Sequence, residues 1–144
     1  MTKAIINTDM NIGPFKIPGN GQNMILNFYA ERNKIKVEEI IPEPFMSDAL
    51  ATTQWTHKKK KLELVILCSI HQLPQKQNRV NSLIRNMKNV EFHFALENIS
   101  GKGKKFLKSC IKEAKIFKNA KVIDSTKTSW SKLNKLRLKK NNFL

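Results

Sequence analysis

The sequence is short of the residues that mark specialised classes. It has 2 Cys in 144 residues, Cys68 and Cys110, too few for a disulfide framework, and no Cys/His spacing reads as a zinc site. Its 5 Gly and 5 Pro exclude a collagen-like or low-complexity chain. No run approaches about 18 uncharged apolar residues, so no membrane-spanning helix is expected. Residues 1–11 lack the apolar core of a signal peptide. Acidic residues are also scarce, with 11 Asp+Glu against 27 Lys+Arg and a net charge of +16. A cytoplasmic chain with one α/β domain is the expectation.

What is abundant is Lys rather than Arg. Of the 27 basic residues 23 are Lys, and Lys, Asn and Ile together make 53 residues. All three have A/T-rich codons, so codon bias raises them without any selected ligand. Arg is the usual residue for bidentate phosphate recognition, and there are 4. The charge is also uneven. Residues 1–100 carry 13 basic and 9 acidic groups, and residues 101–144 carry 14 and 2, a net of +12. Any weak, non-specific polyanion surface is therefore expected in residues 101–144.

The periodicity alternates strand and helix. Lys3 to Asn7 reads as a strand ending in Asn7-Thr8-Asp9. A Gly/Pro loop leads to a helix from about Asn23 to Asn33, with Met24, Ile25, Phe28 and Tyr29 at helical spacing. Val37 to Ile41 reads as a second strand stopped by Pro42 and Pro44. Ser47 or Asp48 is placed to cap a short helix reaching His57. Leu62 to Ile70 is apolar at successive positions, the pattern of a central parallel strand. Val80, Leu83, Ile84 and Met87 fall at i, i+3, i+4, i+7. Val90 to Leu96 reads as a fourth strand. Gly101 and Gly103 open a helix with Phe106, Leu107, Cys110, Ile111, Ala114 and Phe117 on one stripe and lysines opposite. Val122-Ile123 reads as a short final strand, and Trp130, Leu133 and Leu136 as a last helix before a basic tail. The order predicts a three-layer α/β sandwich around a mostly parallel sheet of four to five strands over residues 1–124, with a basic segment at 125–144.

In such sheets ligands sit beyond the carboxyl ends of the strands. The residues expected there are Asn7, Thr8, Glu43, His71, Gln72, Glu97 and Asn98. His71 and Glu97 are the catalytic candidates. His71 reads either as a general acid–base near neutral pH or as a surface imidazole without chemistry. Glu97 and Glu43 read either as partners of His71 and of ligand hydroxyls or as helix caps. Asn7, Thr8, Glu43, Gln72 and Asn98 are the ligand-binding candidates. Cys68 and Cys110 read as packing residues. Gly19-Asn20-Gly21-Gln22-Asn23 is neither a dinucleotide fingerprint nor a Walker loop, so no cofactor is expected.

Two families share parts of this pattern. Ile70-His71-Gln72-Leu73-Pro74 followed by His93-Phe94-Ala95-Leu96-Glu97-Asn98-Ile99 resembles the sporadic carbohydrate cluster family of small bacterial proteins. Ile17, Pro18, Gln22 and Asn23, then Glu43 and Met46, match the same family pattern, which covers roughly residues 3–100. The resemblance implies a role among surface-polysaccharide biosynthesis proteins, as a sugar-modifying enzyme or a non-catalytic accessory, with a sugar or nucleotide sugar as ligand. The family's first strand usually ends with an Arg, and here it ends Ile6-Asn7-Thr8-Asp9.

The layout also resembles the catalytic domain of serine recombinases (resolvases). Their Tyr-x-Arg-x-Ser region corresponds to the stretch Ile5-Ile6-Asn7-Thr8. Their Asp-Arg-Leu-x-Arg corresponds to His71-Gln72-Leu73-Pro74-Gln75, with Gln at both Arg positions. Phosphoryl transfer needs cations to stabilise the transition state. The resemblance therefore implies a resolvase-like fold without recombinase activity. The alternative function is a nucleic-acid-binding module derived from such a domain.

Overall fold

The structure, a computed structural model, describes residues 1–8, 12, 16–44 and 49–124, with side chains up to 117. Strands β1 (Thr2–Thr8), β2 (Glu39–Glu43), β3 (Leu62–Leu67), β4 (Glu91–Phe94) and β5 (Ile99–Gly101) form one sheet in the order β2-β1-β3-β4-β5. The first four are parallel neighbours, and β5 returns antiparallel to β4. Helices α1 (Gly19–Arg32), α2 (Ala51–Lys59), α3 (Gln77–Met87) and α4 (Lys104–Asp124) cover the two faces. Among the described residues no helix is long and apolar enough to cross a membrane.

Side-chain alternation along each strand divides the core in two. Ile5, Leu64, Ile66 and Cys68 point to one face, where Leu26, Tyr29 and Ala30 of α1 cover them. Ala4, Ile6, Val65, Leu67, Phe92 and Phe94 point to the other. There the apolar stripe of α3 (Val80, Leu83, Ile84, Met87) and that of α4 (Leu107, Cys110, Ile111, Ala114) close over them. Leu64, Val65, Ile66 and Leu67 are buried because β3 lies between β1 and β4 and is covered on both sides. The expected three-layer, mostly parallel α/β architecture is thus observed.

Several local readings are corrected. β2 runs to Glu43, and Pro42 lies inside it opposite Asn7. An edge strand tolerates a residue without an N–H, so this proline does not end the ladder. Helix α1 starts at Gly19, ahead of the expected Asn23. Val122-Ile123 is not a strand, because α4 continues through Asp124. The fifth strand is instead Ile99–Gly101, a three-residue return that follows β4. Asn98 makes the return with φ 55°, a left-handed conformation that Asn tolerates better than most residues. Gly101 is required because the Phe106 ring occupies the space a Cβ would take, and that ring stacks on Phe94 at 6.2 Å. The expected last helix around Trp130 and the segment 125–144 lie outside the described residues, as do Asp9, Met46, Ser47 and Asp48.

Ile66→Asp tests the central placement of β3. An unpartnered carboxylate there costs several kcal/mol, against about 5–15 kcal/mol for a whole domain. The variant is expected to lose its cooperative thermal transition by circular dichroism. A soluble variant that melts cooperatively would contradict the assignment.

Candidate functional site

At the carboxyl edge of the sheet each strand runs out of ladder partners, and side chains take over. Beyond β1 the partner is Gln22 of α1, buried at 1% exposure. Its Oε1 accepts the Thr8 N–H at 2.9 Å, and its Nε2 donates to the Thr8 carbonyl at 2.6 Å and to the Ile17 carbonyl at 2.9 Å. One side-chain amide thereby bonds both backbone groups of the last residue of β1 and ties α1 to the sheet. Asn7 Nδ2 donates to Asn23 Oδ1 at 2.7 Å and to the Gly19 carbonyl at 3.3 Å, holding the first turn of α1 against the strand.

Beyond β2 the partner is Glu43, which is 3% exposed. Its Oε1 accepts the Thr53 N–H at 2.6 Å and the Thr53 hydroxyl at 2.8 Å, and its Oε2 accepts the Thr52 N–H at 3.4 Å. Glu43 therefore caps α2 from outside the helix and complements its positive end. The residue before α2, Leu50, is left-handed at φ 52° and supplies no side-chain cap. A cleft of about 530 Å³ opens between these two strand ends. Its described lining includes Asn7, Thr8, Gly19, Glu43 and Thr52, with Pro42 and Pro44 as apolar walls. No Lys or Arg is among them.

Beyond β3 the chain makes a short 3-10 turn, Ile70–Gln72, held by two acceptors. Gln72 Oε1 accepts the N–H of Cys68 at 2.7 Å and of Ser69 at 3.2 Å. Glu97, beyond β4, accepts the Ser69 hydroxyl at 2.7 Å and the Ile70 N–H at 2.9 Å. His71 rides on this turn and meets Phe117 of α4 edge-on at 5.2 Å. Burial pushes the His71 pKa down, against the upward pull of Glu97 and Glu113, and so favours the neutral imidazole.

The seven expected residues thus divide along one sheet edge. Asn7, Thr8 and Glu43 line the β1/β2 cleft. His71, Gln72 and Glu97 belong to the turn after β3, and Asn98 shapes the β4–β5 return. Glu43 and Glu97 both act as caps, one of the two roles weighed for each. Sequence reasoning gave Thr52 no place in the site; Gly19, Gln22 and Asn23, noted there only in a loop and a family pattern, line or brace the cleft wall. A Gln and an Asn in the first turn of a helix that follows a strand are the local signal for such bracing.

Buried groups elsewhere are structural in character. His93 Nδ1 and the Tyr29 hydroxyl share a hydrogen bond at 2.8 Å. His93 Nε2 lies 3.3 Å from Glu91 Oε2 without the alignment of a hydrogen bond. Burial, reinforced by Glu91, raises the Tyr29 phenol. Burial pushes the Cys68 thiol up to about 12 and the Cys110 thiol to about 11, with Glu97 adding to the first and Glu113 and Glu97 to the second. Neither is a thiolate nucleophile at neutral pH. Among the described residues no group of three or more His, Cys, Asp or Glu is placed to hold a metal ion.

Known proteins match this arrangement in fold. The N-terminal catalytic domain of TP901-1 integrase superposes with a TM-score of 0.54 at 16% identity, covering 84% of this chain and 96% of that one. A resolvase family site-specific recombinase from Streptococcus pneumoniae superposes with a TM-score of 0.56 at 13% identity, covering 93% and 99%. The chain therefore has a resolvase-like fold. No protein-family model matches it, and no curated protein does.

Two predictions follow from the edge. Gln22→Leu removes the buried amide that bonds the N–H and C=O of Thr8, at about 1–3 kcal/mol per lost buried bond. Urea unfolding is expected to show at least that loss, with Gln22→Glu intermediate because it keeps the acceptor. An unchanged midpoint in Gln22→Leu would remove the amide's bracing role.

The second prediction concerns pH. His71 has a folded pKa below its unfolded value of about 6.5, so the unfolded chain binds more protons in that window. Stability is then fully present above about pH 7 and falls as pH drops through 6.5 toward the folded pKa. His57 has the same sign: burial and then Lys61 lower it, and its Nδ1 accepts the Leu62 N–H at 3.0 Å. The urea midpoint should fall between about pH 7.5 and 5.5, and the double variant His57→Gln/His71→Gln should flatten that fall. An equal slope in the double variant would show that other groups set it.

Proposed function

We propose that this resolvase-fold chain binds a carbohydrate in the β1/β2 cleft and serves surface-polysaccharide biosynthesis in the cytoplasm, without recombinase activity. The observation that carries the reading is the chemistry of the cleft. Its described polar lining is an amide, two hydroxyls and a capping carboxylate, with no cation. Sugar hydroxyls both donate and accept, and Asn and Thr side chains do the same. A transferring phosphoryl group instead calls for positive charge. Gln72 and Gln75 supply none where the recombinase pattern has Arg. The family-like motifs at Gln72-Leu73-Pro74 and His93 to Glu97 point the same way.

Asn7, Thr8 and Glu43 are the proposed ligand-binding residues. Gln72 and Asn98, the other residues expected to bind ligand, stand outside that cleft along the same sheet edge, Gln72 with a buried Nε2 donor that has no acceptor among the described residues. If the protein is an enzyme, His71 is the general acid–base candidate, and Glu97 positions the turn that carries it. If it is a non-catalytic accessory, the cleft alone suffices. The ligand class is a sugar or a nucleotide sugar, and no cofactor is invoked. A second reading, a nucleic-acid-binding module, is favoured by the exposed lysines of α4: Lys104, Lys105, Lys108, Lys112 and Lys115. Such a face gives weak, non-specific, salt-sensitive contact.

A thermal-shift screen with free sugars, nucleotide sugars and oligonucleotides separates these readings, since a ligand of the native state raises the midpoint. At least one sugar-containing compound is expected to do so. Asn7→Ala should weaken its binding about tenfold, the value of one or two neutral hydrogen bonds. A screen in which oligonucleotides alone shift the midpoint would replace the carbohydrate reading with the second one.

A further inference from the structure

A second groove lies between α2 and α3, within the helical layer that also contains α4. Its volume is about 560 Å³, within the range of roughly 300–1,000 Å³ for ligand sites. Lys58, Arg79 and Arg85 line it, and no acidic residue is among its described lining. Two of the chain's 4 Arg residues therefore share one groove. A codon bias that enriches Lys does not account for clustered Arg.

The groove also carries Trp55, 57% exposed. Its indole places an aromatic face beside the cations of the groove. Lys59 Nζ stands 4.1 Å from the ring centroid, so the ring already receives a cation. The two walls are tied together: Asn86 Nδ2 donates to Gln54 Oε1 at 2.8 Å, and Gln54 Nε2 donates to the Ala49 carbonyl at 2.7 Å. Gln54 is 8% exposed, so this floor is preformed.

We propose that the α2/α3 groove binds single-stranded nucleic acid, one base stacking on Trp55 and successive phosphates meeting Lys58, Arg79 and Arg85. The planar guanidinium matches phosphate geometry, and every base offers a face to an aromatic ring. An acidic peptide satisfies the cations but supplies no base face for the indole beyond the Lys59 ammonium already on it. A free mononucleotide brings one phosphate group to three cations. This surface is distinct from the β1/β2 cleft, and the proposal stands whether or not that cleft binds sugar.

The test uses the full chain. In a Trp130→Phe background Trp55 is the remaining tryptophan, and titration with a dT 12-mer should quench its fluorescence saturably. With three phosphate contacts the affinity should fall roughly twentyfold between 50 and 200 mM salt. Fluorescence anisotropy with a labelled 12-mer should show Trp55→Ala weakening binding roughly 5- to 150-fold, the range for loss of one stacked base, with Trp55→Phe restoring part of it. The double variant Arg79→Ala/Arg85→Ala should weaken binding and flatten the salt dependence. Equal affinity in Trp55→Ala and in the double Arg variant would overturn the groove and assign the strand to other lysines. Quenching by UMP at the affinity of the 12-mer would overturn the strand assignment. Displacement of the 12-mer by a Glu 12-mer at equal affinity would overturn base recognition.

Discussion

Backbone groups at the end of a parallel sheet must find partners that are not strands, and this requirement organises the whole carboxyl edge. Gln22 completes β1 at Thr8. Gln72 gathers the N–H groups that leave β3 at Cys68 and Ser69. Glu97 crosses from beyond β4 to hold Ser69 and Ile70, and Glu43 crosses from β2 to cap α2. Each contact ties a strand end to a neighbouring element. The loops over the edge are therefore fixed by a handful of amides and carboxylates, each removing a buried polar group from the list of unmet ones.

This has a direct bearing on function. Amides and acids gathered at a strand edge look like a reactive array, and here many of their oxygens are already engaged by backbone N–H groups. What the edge offers a ligand is the β1/β2 cleft, neutral in most of its polar lining. Burial lowers the pKa of the His71 imidazole although Glu97 and Glu113 pull the other way. Positive charge lies instead on the helical layer, along exposed α4 lysines and in the α2/α3 groove.

The same fold serves proteins titled as an integrase catalytic domain and a site-specific recombinase. At 13–16% identity the likeness is one of architecture, and function resides in the side chains placed upon it. In this chain the positions where the recombinase pattern carries Arg hold Gln72 and Gln75. Gln72 there accepts the N–H groups of Cys68 and Ser69.

The layer architecture and the central strand were legible in the residues themselves. Leu64 to Leu67 is apolar on both faces because a central parallel strand is covered twice, and Val80, Leu83, Ile84 and Met87 repeat at the helical period because one face is buried. Those are local patterns with a single physical cause. The strand-end polar residues were legible as a set and not as an arrangement. Glu43 caps a helix that starts eight residues later, and Glu97 holds a turn 27 residues before it; no short motif records such pairs. Pro42 reads as a strand end until the edge position of β2 makes its missing N–H harmless. Ile99–Gly101 has too few residues to show alternation, and only pairing with β4 makes it a strand. Sequence determined which faces had to be buried; tertiary structure decided which polar groups would meet, because their partners are chosen by the strand order and not by spacing along the chain.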